Sequence, residues 1–288
     1  MIKKFLKTIF YKVVSPYAYF GSVPKWKQFF ISLRYILASK GIILNRNVRQ
    51  LKKIKNSHQG QRCFIIGNGP SLNKMDLTKL KNEITFGVNA IYLNYEKMNF
   101  HPTYYVVEDI FVAEDRADEI NNYKQPKIKF FGNYLRKYIK KDEKTVFMNL
   151  IRNYSDIDNF PYFSTNCLKD LGVGGSVTYV CLELAFYMGF KEVYMIGFDH
   201  NYVIPNSVII TNERITGCDI LSTEDDVNHF HKDYFGKGYR WHDPKVDRME
   251  VGFSKANEIY SKHGKKIFNA SVGGKLEVFE RIDYNSIF

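Results

Sequence analysis

Apolar and polar positions along residues 63–268 alternate in blocks that predict an α/β fold. Short apolar runs typical of buried strands are separated by segments with helical spacing. The predicted strands are residues 63–66, 84–88, 103–107, 127–131, 145–148, 192–196 and 266–268, and the clearest helices are residues 176–188 and 248–262. Alternation of this kind predicts a Rossmann-like, doubly wound, mainly parallel sheet with helices on both faces.

Polar residues stand directly after most of the predicted strands. They are Gly67, Asn68 and Gly69 after the first strand, Asn89 after the second, Glu108 and Asp109 after the third, Gly197, Asp199 and His200 after the sixth, and Asn269 and Ser271 after the last. Ligands of open α/β sheets bind beyond the carboxyl ends of the strands, so we expect these residues to converge on one crevice.

The turn after the first strand has the composition of a phosphate site. Gly67 and Gly69 would let the backbone approach a ligand closely, and Pro70 and Ser71 would begin a helix whose free N–H groups favour an anion. A tight turn that binds no ligand is the alternative interpretation. The same two interpretations apply to Gly-Val-Gly-Gly-Ser at residues 172–176, where Gly175 and Ser176 would form a second cradle at the start of the long helix.

Residues 200–245 contain few regular apolar runs and hold four of the seven histidines, namely His200, His229, His231 and His242. The segment is long for a loop, so it predicts a lid or a small subdomain over the crevice. His242 precedes Asp243 in a polar turn where a carboxylate can orient its ring, which suits a general base near neutral pH. Tyr202 and Tyr239 could donate hydrogen bonds to a leaving phosphate.

Two metal sites are conceivable from the residues alone. His229, His231 and His242 are a candidate zinc set, but no carboxylate accompanies them at a recognisable spacing. Glu108 and Asp109 are candidate magnesium ligands, although they lack the Asp-x-Asp form of transferases that use paired carboxylates. The expectation is therefore that no metal is required.

The formal net charge of +12 belongs to one end of the chain. Residues 1–62 hold 14 of the 42 basic residues and no acidic residue, so the other 226 residues carry 28 basic and all 30 acidic residues. A nucleic-acid binder would spread basic residues and stacking aromatics over its folded body, and no such stripe follows residue 62. We therefore divide the chain into a basic arm, residues 1–58, and a nucleotide-binding catalytic domain, residues 59–288, whose lid spans about residues 200–245.

The arm has the pattern of helices that lie on a membrane. In MIKKFLKTIFYKVV and KWKQFFISLRYILASKGIIL, apolar residues recur at helical spacing with lysines between them. Residues 1–40 are thus expected to contact an anionic membrane peripherally, and packing of both helices on the body is the alternative. Neither block reaches the roughly 20 charge-poor residues of a spanning helix. The predicted location is cytoplasmic, on the inner face of the cell membrane.

Three stretches carry a family resemblance: IIGNGPSL at residues 65–72, FGVNAIYL at residues 86–93, and GGSVTYVCLELAFYMGFKEVYMIGFDHNY at residues 174–202. Over about residues 60–280 the chain resembles the superfamily that contains the bacterial family 42 sialyltransferases, the Maf flagellin glycosyltransferases and the MptE-like pterin diphosphokinase proteins. The motifs are fairly specific to this superfamily but not to one of its members.

The resemblance implies roles for particular residues. In the sialyltransferases, two asparagines that match Asn68 and Asn89 contact the cytidine monophosphate (CMP) donor. Ser176 matches the residue that opens the long helix, and His242 matches the lid histidine that acts as base. The family's arginine before this helix is not evident here, and its tyrosine pair is matched only loosely, by Tyr202.

The implied activity is an inverting, sialyltransferase-like glycosyl transfer. A sialic acid or a related sugar (another nonulosonate or Kdo) would pass from a CMP-activated donor to a glycan hydroxyl, with His242 as base and no cofactor. The membrane-seeking arm fits a lipid-linked glycan acceptor, as in the bacterial synthesis of lipopolysaccharide or capsule.

Two other functions stay open. The first is an MptE-like diphosphokinase that uses ATP and magnesium bound by Glu108 and Asp109. The second is a membrane-docked module that binds a nucleotide without chemistry. The sequence is also compatible with a homo-oligomer.

Overall fold

The computed structural model describes residues 2–156, 158–214 and 217–288. Its strands in chain order are β1 Arg62–Ile66, β2 Thr85–Val88, β3 Tyr104–Val107, β4 Ile128–Gly132, β5 Thr145–Met148, β6 Leu150–Ile151, β7 Leu171–Gly172, β8 Glu192–Ile196, β9 Ile209–Arg214, β10 Gly217–Leu221, β11 Arg240–His242, β12 Lys266–Asn269 and β13 Glu280–Arg281. All seven strands predicted from the sequence are present, with bounds that differ by at most one residue.

The α-helices are α1 Ile2–Val13, α2 Lys25–Ser39, α3 Arg46–Ile54, α4 Tyr95–Met98, α5 Ile110–Asp115, α6 Ala117–Asn122, α7 Val177–Met188 and α8 Val246–Lys262. Short 3₁₀ helices lie at Pro70–Lys74, Leu77–Leu80, Ile91–Asn94, Asn133–Lys137 and Tyr284–Ile287. Both long helices predicted from the sequence are confirmed as α7 and α8.

The central sheet has eight strands in the order β13-β12-β8-β1-β2-β3-β4-β5, and every neighbouring pair is parallel. The chain starts in the middle at β1, runs outward to β5, and then returns to β8 on the other side of β1. This doubly wound order confirms the predicted fold class. It also puts the topological switch, where ligands bind in such sheets, between the ends of β1 and β8.

Helix α7 is the buried centre of the molecule, and all twelve of its residues are buried. A helix that is apolar on every side has no face for solvent, so it packs between the sheet and α8. The exception is Glu183, whose Oε1 accepts hydrogen bonds from the backbone N–H groups of Ser164 and Gly172. Burial raises the pKa of this carboxyl well above its usual range.

The lid contains the antiparallel sheet β11-β10-β9. Arg240 at the start of β11 pairs with Asp115 and, at 3.0 Å, with Glu114 at the end of α5. Arg116 donates hydrogen bonds to the backbone carbonyls of Asp233 and Tyr234 in the lid. These arginine contacts hold the lid against the carboxyl side of the sheet.

Part of the basic arm packs into the body. Val48, Leu51 and Ile54 of α3 join the main hydrophobic core, together with Tyr35 and Ala38 of α2. The connection between α1 and α2 also touches the body, because residue 18 forms an isolated bridge with residue 151. The boundary at residue 58 stays a prediction, but the second half of the arm contributes to the core. Among the described residues, no helix is both long enough and apolar enough to span a membrane.

Candidate active site

A cavity of about 480 Å³ lies over the topological switch, within the size range of small-molecule sites. Its walls come from the loops after β1, β2, β3 and β8, from the start of α7 and from the lid. Of the site residues predicted from the sequence, the cavity is lined by Gly67, Asn68, Gly69, Asn89, Gly175, Ser176, Asp199, Tyr202 and His242. The polar ends of β1, β2, β3 and β8 therefore converge as expected, but Asn269 and Ser271 after β12 do not line the cavity.

The two glycines after β1 are needed for contact between two loops. A Cβ atom on Gly67 would lie 2.5 Å from the carbonyl oxygen of Gly197, and one on Gly69 would overlap the carboxylate of Asp199. From the sequence, Gly67 and Gly69 were expected to allow a ligand to approach the backbone closely. The structure instead shows that the loop after β8 fills the space where their side chains would be.

In the helical turn after Gly69, a carboxylate of the protein itself takes the place expected for a bound anion. The helix expected to begin at Pro70 and Ser71 is present as a 3₁₀ helix over residues 70–74. Asp199 accepts hydrogen bonds from the Ser71 backbone N–H at 3.2 Å and from the Ser71 hydroxyl at 2.7 Å. The expectation that this turn offers free N–H groups to a phosphate is thus wrong for Ser71, because Asp199 already occupies them.

Asn68 and Asn89 each carry a buried side-chain oxygen that has no hydrogen-bond partner among the described residues. Asn68 donates instead to the Tyr234 hydroxyl at 2.9 Å, and its own carbonyl accepts from the Phe230 backbone at 2.8 Å. Buried polar atoms in native proteins are nearly always paired. Both oxygens line the cavity wall and can accept a hydrogen bond from a ligand or from water.

The start of α7 forms a second, basic wall. Ser176 caps the helix by accepting from the Thr178 backbone N–H at 3.1 Å. Arg152 and Arg248 both line the cavity, and Arg248 lies 4.3 Å from the ring centre of Tyr154. The positive end of a twelve-residue helix and two guanidinium groups favour an anionic ligand at this wall.

The arm contributes Tyr19 to the cavity, which sequence reasoning missed. The Tyr19 backbone N–H donates to the Leu150 carbonyl at 3.0 Å, and the Arg152 guanidinium lies 4.3 Å from the centre of the Tyr19 ring. Tyr19 also packs edge-on against Tyr134 at 4.4 Å. No local motif marks Tyr19, since its position follows from the pairing of the arm with β6.

Glu108 and Asp109, the acidic pair after β3, already have hydrogen-bond partners within the protein. Glu108 is buried, accepts from the Tyr134 hydroxyl at 3.1 Å and lies 3.4 Å from Arg152. Burial raises the pKa of Glu108, although the charge of Arg152 opposes this shift. Asp109 caps α5 by accepting from the backbone N–H groups of Phe111 at 2.7 Å and Val112 at 3.3 Å. Neither carboxylate is arranged as an open magnesium ligand.

His242 is held by a carboxylate, as expected, but the partner is Asp219 and not Asp243. Asp219 lies opposite His242 in the pairing of β10 with β11, so both side chains project from the same face. Its Oδ1 is 3.1 Å from Nδ1 of His242. The ring stacks on Phe111 at 4.3 Å, and Nε2 lies 3.7 Å from Oδ1 of Asp109. Asp243 pairs with Lys245 instead.

Tyr239 lies outside the cavity lining, where the Arg116 guanidinium stands 4.0 Å from the centre of its ring. It therefore stabilises the contact between lid and body, and a direct contact with a ligand in the cavity is not available to it. The three histidines of the candidate zinc set have different partners. His229 pairs with Asp226, and His231 is partly exposed beside Asp233. Across residues 2–156, 158–214 and 217–288, no cluster of His, Cys, Asp and Glu is placed to hold a metal ion.

A parallel, doubly wound sheet with a polar cavity at its switch point defines the class, a Rossmann-like α/β protein with a ligand site beyond the strand ends. Residues 41–204 match the model of the family described as 6-hydroxymethylpterin diphosphokinase MptE-like. The chain belongs to this family, which confirms the superfamily expected from the motifs. The matched residues contain β1 to β8 and end before β9 of the lid.

One solved structure similar to the chain is the Maf glycosyltransferase from Magnetospirillum magneticum AMB-1. The sequence identity is 16%, the TM-score is 0.46, and the match covers 92% of this chain but 43% of the Maf chain. The chain thus spans less than half the length of that protein. No curated protein matches the chain.

Proposed function

We propose that the protein is an inverting glycosyltransferase that moves a sialic acid or a related nonulosonate or Kdo sugar from a CMP-activated donor to a glycan hydroxyl. The His242–Asp219 pair carries this proposal, because it presents an oriented imidazole to the polar cavity at the switch point. An ionised carboxylate only accepts hydrogen bonds, so Asp219 keeps the ring proton on Nδ1 and leaves Nε2 as the base.

In the proposed reaction, Nε2 of His242 takes the proton of the acceptor hydroxyl while its oxygen bonds to the anomeric carbon. The bond between this carbon and the CMP phosphate oxygen breaks, and the electron pair leaves with the phosphate. The negative charges of Asp219 and Asp109 on either side of the ring stabilise the imidazolium that forms. Arg152, Arg248 and the start of α7 favour the anionic groups of the donor.

The second candidate is the diphosphokinase activity named in the description of the matching family. That reaction would use ATP with magnesium, and Glu108 and Asp109 are the candidate ligands. Glu108 is paired with Arg152 and Tyr134, and Asp109 caps α5. Both carboxylates would have to give up these contacts to bind a metal, so the glycosyltransferase accounts better for the site.

The arm is proposed to place the enzyme on the inner face of an anionic membrane. Tyr11, Trp26 and Phe30 expose large parts of their aromatic side chains on α1 and α2, and Lys7, Lys12, Lys25 and Lys27 lie beside them in the sequence. Exposed aromatic and basic residues on one segment favour binding to acidic lipid headgroups. Since Tyr19 of the same arm lines the cavity, a lipid-linked glycan acceptor would reach the site from the membrane side.

Flotation with vesicles tests the membrane contact. The double variant Trp26→Ser, Phe30→Ser should lose binding to vesicles rich in phosphatidylglycerol, while Tyr95→Ser, which removes an exposed aromatic residue outside the arm, should bind as the wild type does. Equal binding by all three proteins would contradict the role of the arm.

Ligand binding and turnover test the activity. Thermal stabilisation is measured with CMP, UMP, GMP and ATP, each with and without magnesium; a ligand at a hundred times its dissociation constant adds about 2.7 kcal/mol. Stabilisation by CMP without magnesium supports the proposal, and stabilisation by ATP with magnesium alone would replace it with the diphosphokinase.

His242→Gln should then lower kcat by about 100-fold or more with a CMP-activated sugar while CMP still binds. The control is His231→Gln, which changes a histidine of the same lid that does not line the cavity. Near-normal turnover in His242→Gln would rule out the proposed base.

A further inference from the structure

The cavity contains a second histidine that is held by a carboxylate. Nδ1 of His229 lies 2.7 Å from Oδ2 of Asp226, within the lid loop between β10 and β11. His229 lines the same cavity as His242, and no described residue bonds its Nε2. Both imidazoles therefore have Nδ1 on a carboxylate, and no described residue forms a hydrogen bond with either Nε2.

Asp226 is built to fix the ring. Its side chain is only 3% exposed, and it also accepts from the backbone N–H groups of Asn228 at 2.7 Å and Phe235 at 2.8 Å. Burial alone would raise the pKa of Asp226, but the hydrogen bonds from His229 and the backbone lower it below its usual value. The carboxylate thus stays ionised at neutral pH, accepts the Nδ1 proton and directs Nε2 to the cavity.

His229 lies at the end of the cavity near the switch point. Its ring is stacked on Tyr234 with 4.0 Å between the ring centres and 11° between the planes. The Tyr234 hydroxyl accepts from Asn68, whose unpaired oxygen marks the turn after β1. His242 instead lies beside Asp109 at the end of β3. The two histidines thus lie at different parts of the cavity.

We propose that His229 is a second catalytic acid–base residue, which contacts the phosphate of the bound nucleotide and donates the Nε2 proton to it as it leaves. This inference rests on the proposed glycosyl transfer. The acceptor oxygen bonds to the anomeric carbon and loses its proton to His242, while the bond from that carbon to the phosphate oxygen breaks. The phosphate oxygen keeps the electron pair and takes the proton from protonated His229.

The polar side chains near His229 are acidic or neutral. Asp226 is its ion-pair partner, Tyr234 lies under the ring and Tyr202 lies 6.5 Å away. Glu224 and Asp225 line the small cleft that His229 closes on its other side. With these groups acidic or neutral, a phosphate next to Nε2 adds a further negative charge and favours the imidazolium.

Calorimetry of CMP binding near pH 7.5, in buffers of different ionisation enthalpy, tests the contact without turnover. The wild type should take up protons on binding. His229→Gln should take up fewer and bind CMP about tenfold more weakly, because a charge-assisted hydrogen bond is lost. His229→Phe keeps the stack on Tyr234, so it separates the loss of the nitrogen from a loss of folding. His231→Gln should behave as the wild type does.

The pH profile of kcat tests the acid. A group that must be protonated produces an alkaline limb, so this limb should disappear in His229→Gln together with a fall in kcat of about 100-fold. Asp226→Asn, which removes the ionised partner, should weaken proton uptake in the same direction. If sugar transfer and CMP binding are present but proton uptake and the alkaline limb are unchanged in His229→Gln, this inference is wrong and the proposed function stands. If no nucleoside phosphate binds, both fail.

Discussion

Asn47 should be a main stabilising contact between the arm and the sheet. Strand β5 is an edge strand of the eight-stranded sheet, so one side of its backbone needs other partners. The Asn47 side chain supplies them: its Nδ2 donates to the Phe147 carbonyl at 2.6 Å, and its Oδ1 accepts from the Phe147 N–H at 2.6 Å. The Tyr35 hydroxyl is a second donor to the same carbonyl, at 2.5 Å.

The expected cost of Asn47→Ala follows from these contacts. Asn47 is 5% exposed, so water does not replace it easily. The Phe147 N–H loses its partner, at about 1–3 kcal/mol for an unsatisfied buried donor. The Phe147 carbonyl keeps Tyr35, so the second bond adds only about 1 kcal/mol. The sum of roughly 2–4 kcal/mol is a large part of the 5–15 kcal/mol that typically stabilises a protein.

Urea unfolding monitored by circular dichroism measures this free energy. Gln50→Ala is the matched control, because Gln50 lies on the same helix and donates to the Glu143 carbonyl before β5, but through a solvent-exposed hydrogen bond. It should change the free energy of unfolding by less than about 0.5 kcal/mol. If Asn47→Ala and Gln50→Ala were equally mild, the arm would not be bound to β5 as described.

Two further predictions concern the switch point and the far edge of the sheet. Gly69→Ala should lower the free energy of unfolding by about 2 kcal/mol and weaken nucleotide binding, because the added Cβ displaces Asp199. The control is Gly264→Ala, where the Cβ meets open space, and it should cost only about 1 kcal/mol of left-handed backbone strain. Thermal unfolding of both variants measures the difference. Burial would raise the pKa of Asp142, but hydrogen bonds, first of all from the buried Lys129 at 2.8 Å, lower it well below its usual value. A lowered folded-state pKa gives stability that is present above about pH 4 and lost as pH falls further, so the loss of about 3 kcal/mol in Asp142→Asn at pH 7 should shrink in acid-unfolding curves below pH 4.

Most of the sheet could be predicted because its strands are buried on both faces. Such strands appear in the sequence as continuous apolar runs, as in Cys63-Phe64-Ile65-Ile66, and their bounds are clear. The polar residues after them were also predictable, since parallel strands end at the same edge. The two-residue strands β6 and β7 carry no such signal, because their position depends on the arm and on the loop before α7.

The parts of the site that depend on distant pairing were not predictable. The sequence places Asp243 next to His242, but successive residues of a strand point to opposite faces, so the partner is the cross-strand residue Asp219. In the same way, the glycine turn after β1 suggested a bound ligand, whereas Asp199, in the loop after β8, occupies part of the space next to this turn. Both corrections come from the order of strands, which local composition does not specify.

The site residues fall into two groups, those within the residues that match the family model and those in the lid. Residues 41–204 supply the unpaired oxygens of Asn68 and Asn89, which suit a hydrogen-bond donor on a ligand, and the start of α7, which suits an anion. Asp219, His229 and His242, the groups given proton-transfer roles in the proposed reaction, all lie beyond residue 204. In the proposed reaction, the proton transfers are therefore made by residues of the lid. A polar crevice at the switch point is compatible with either proposed transfer reaction, and two histidines held at Nδ1 favour the one that needs both a base for a hydroxyl and an acid for a leaving phosphate.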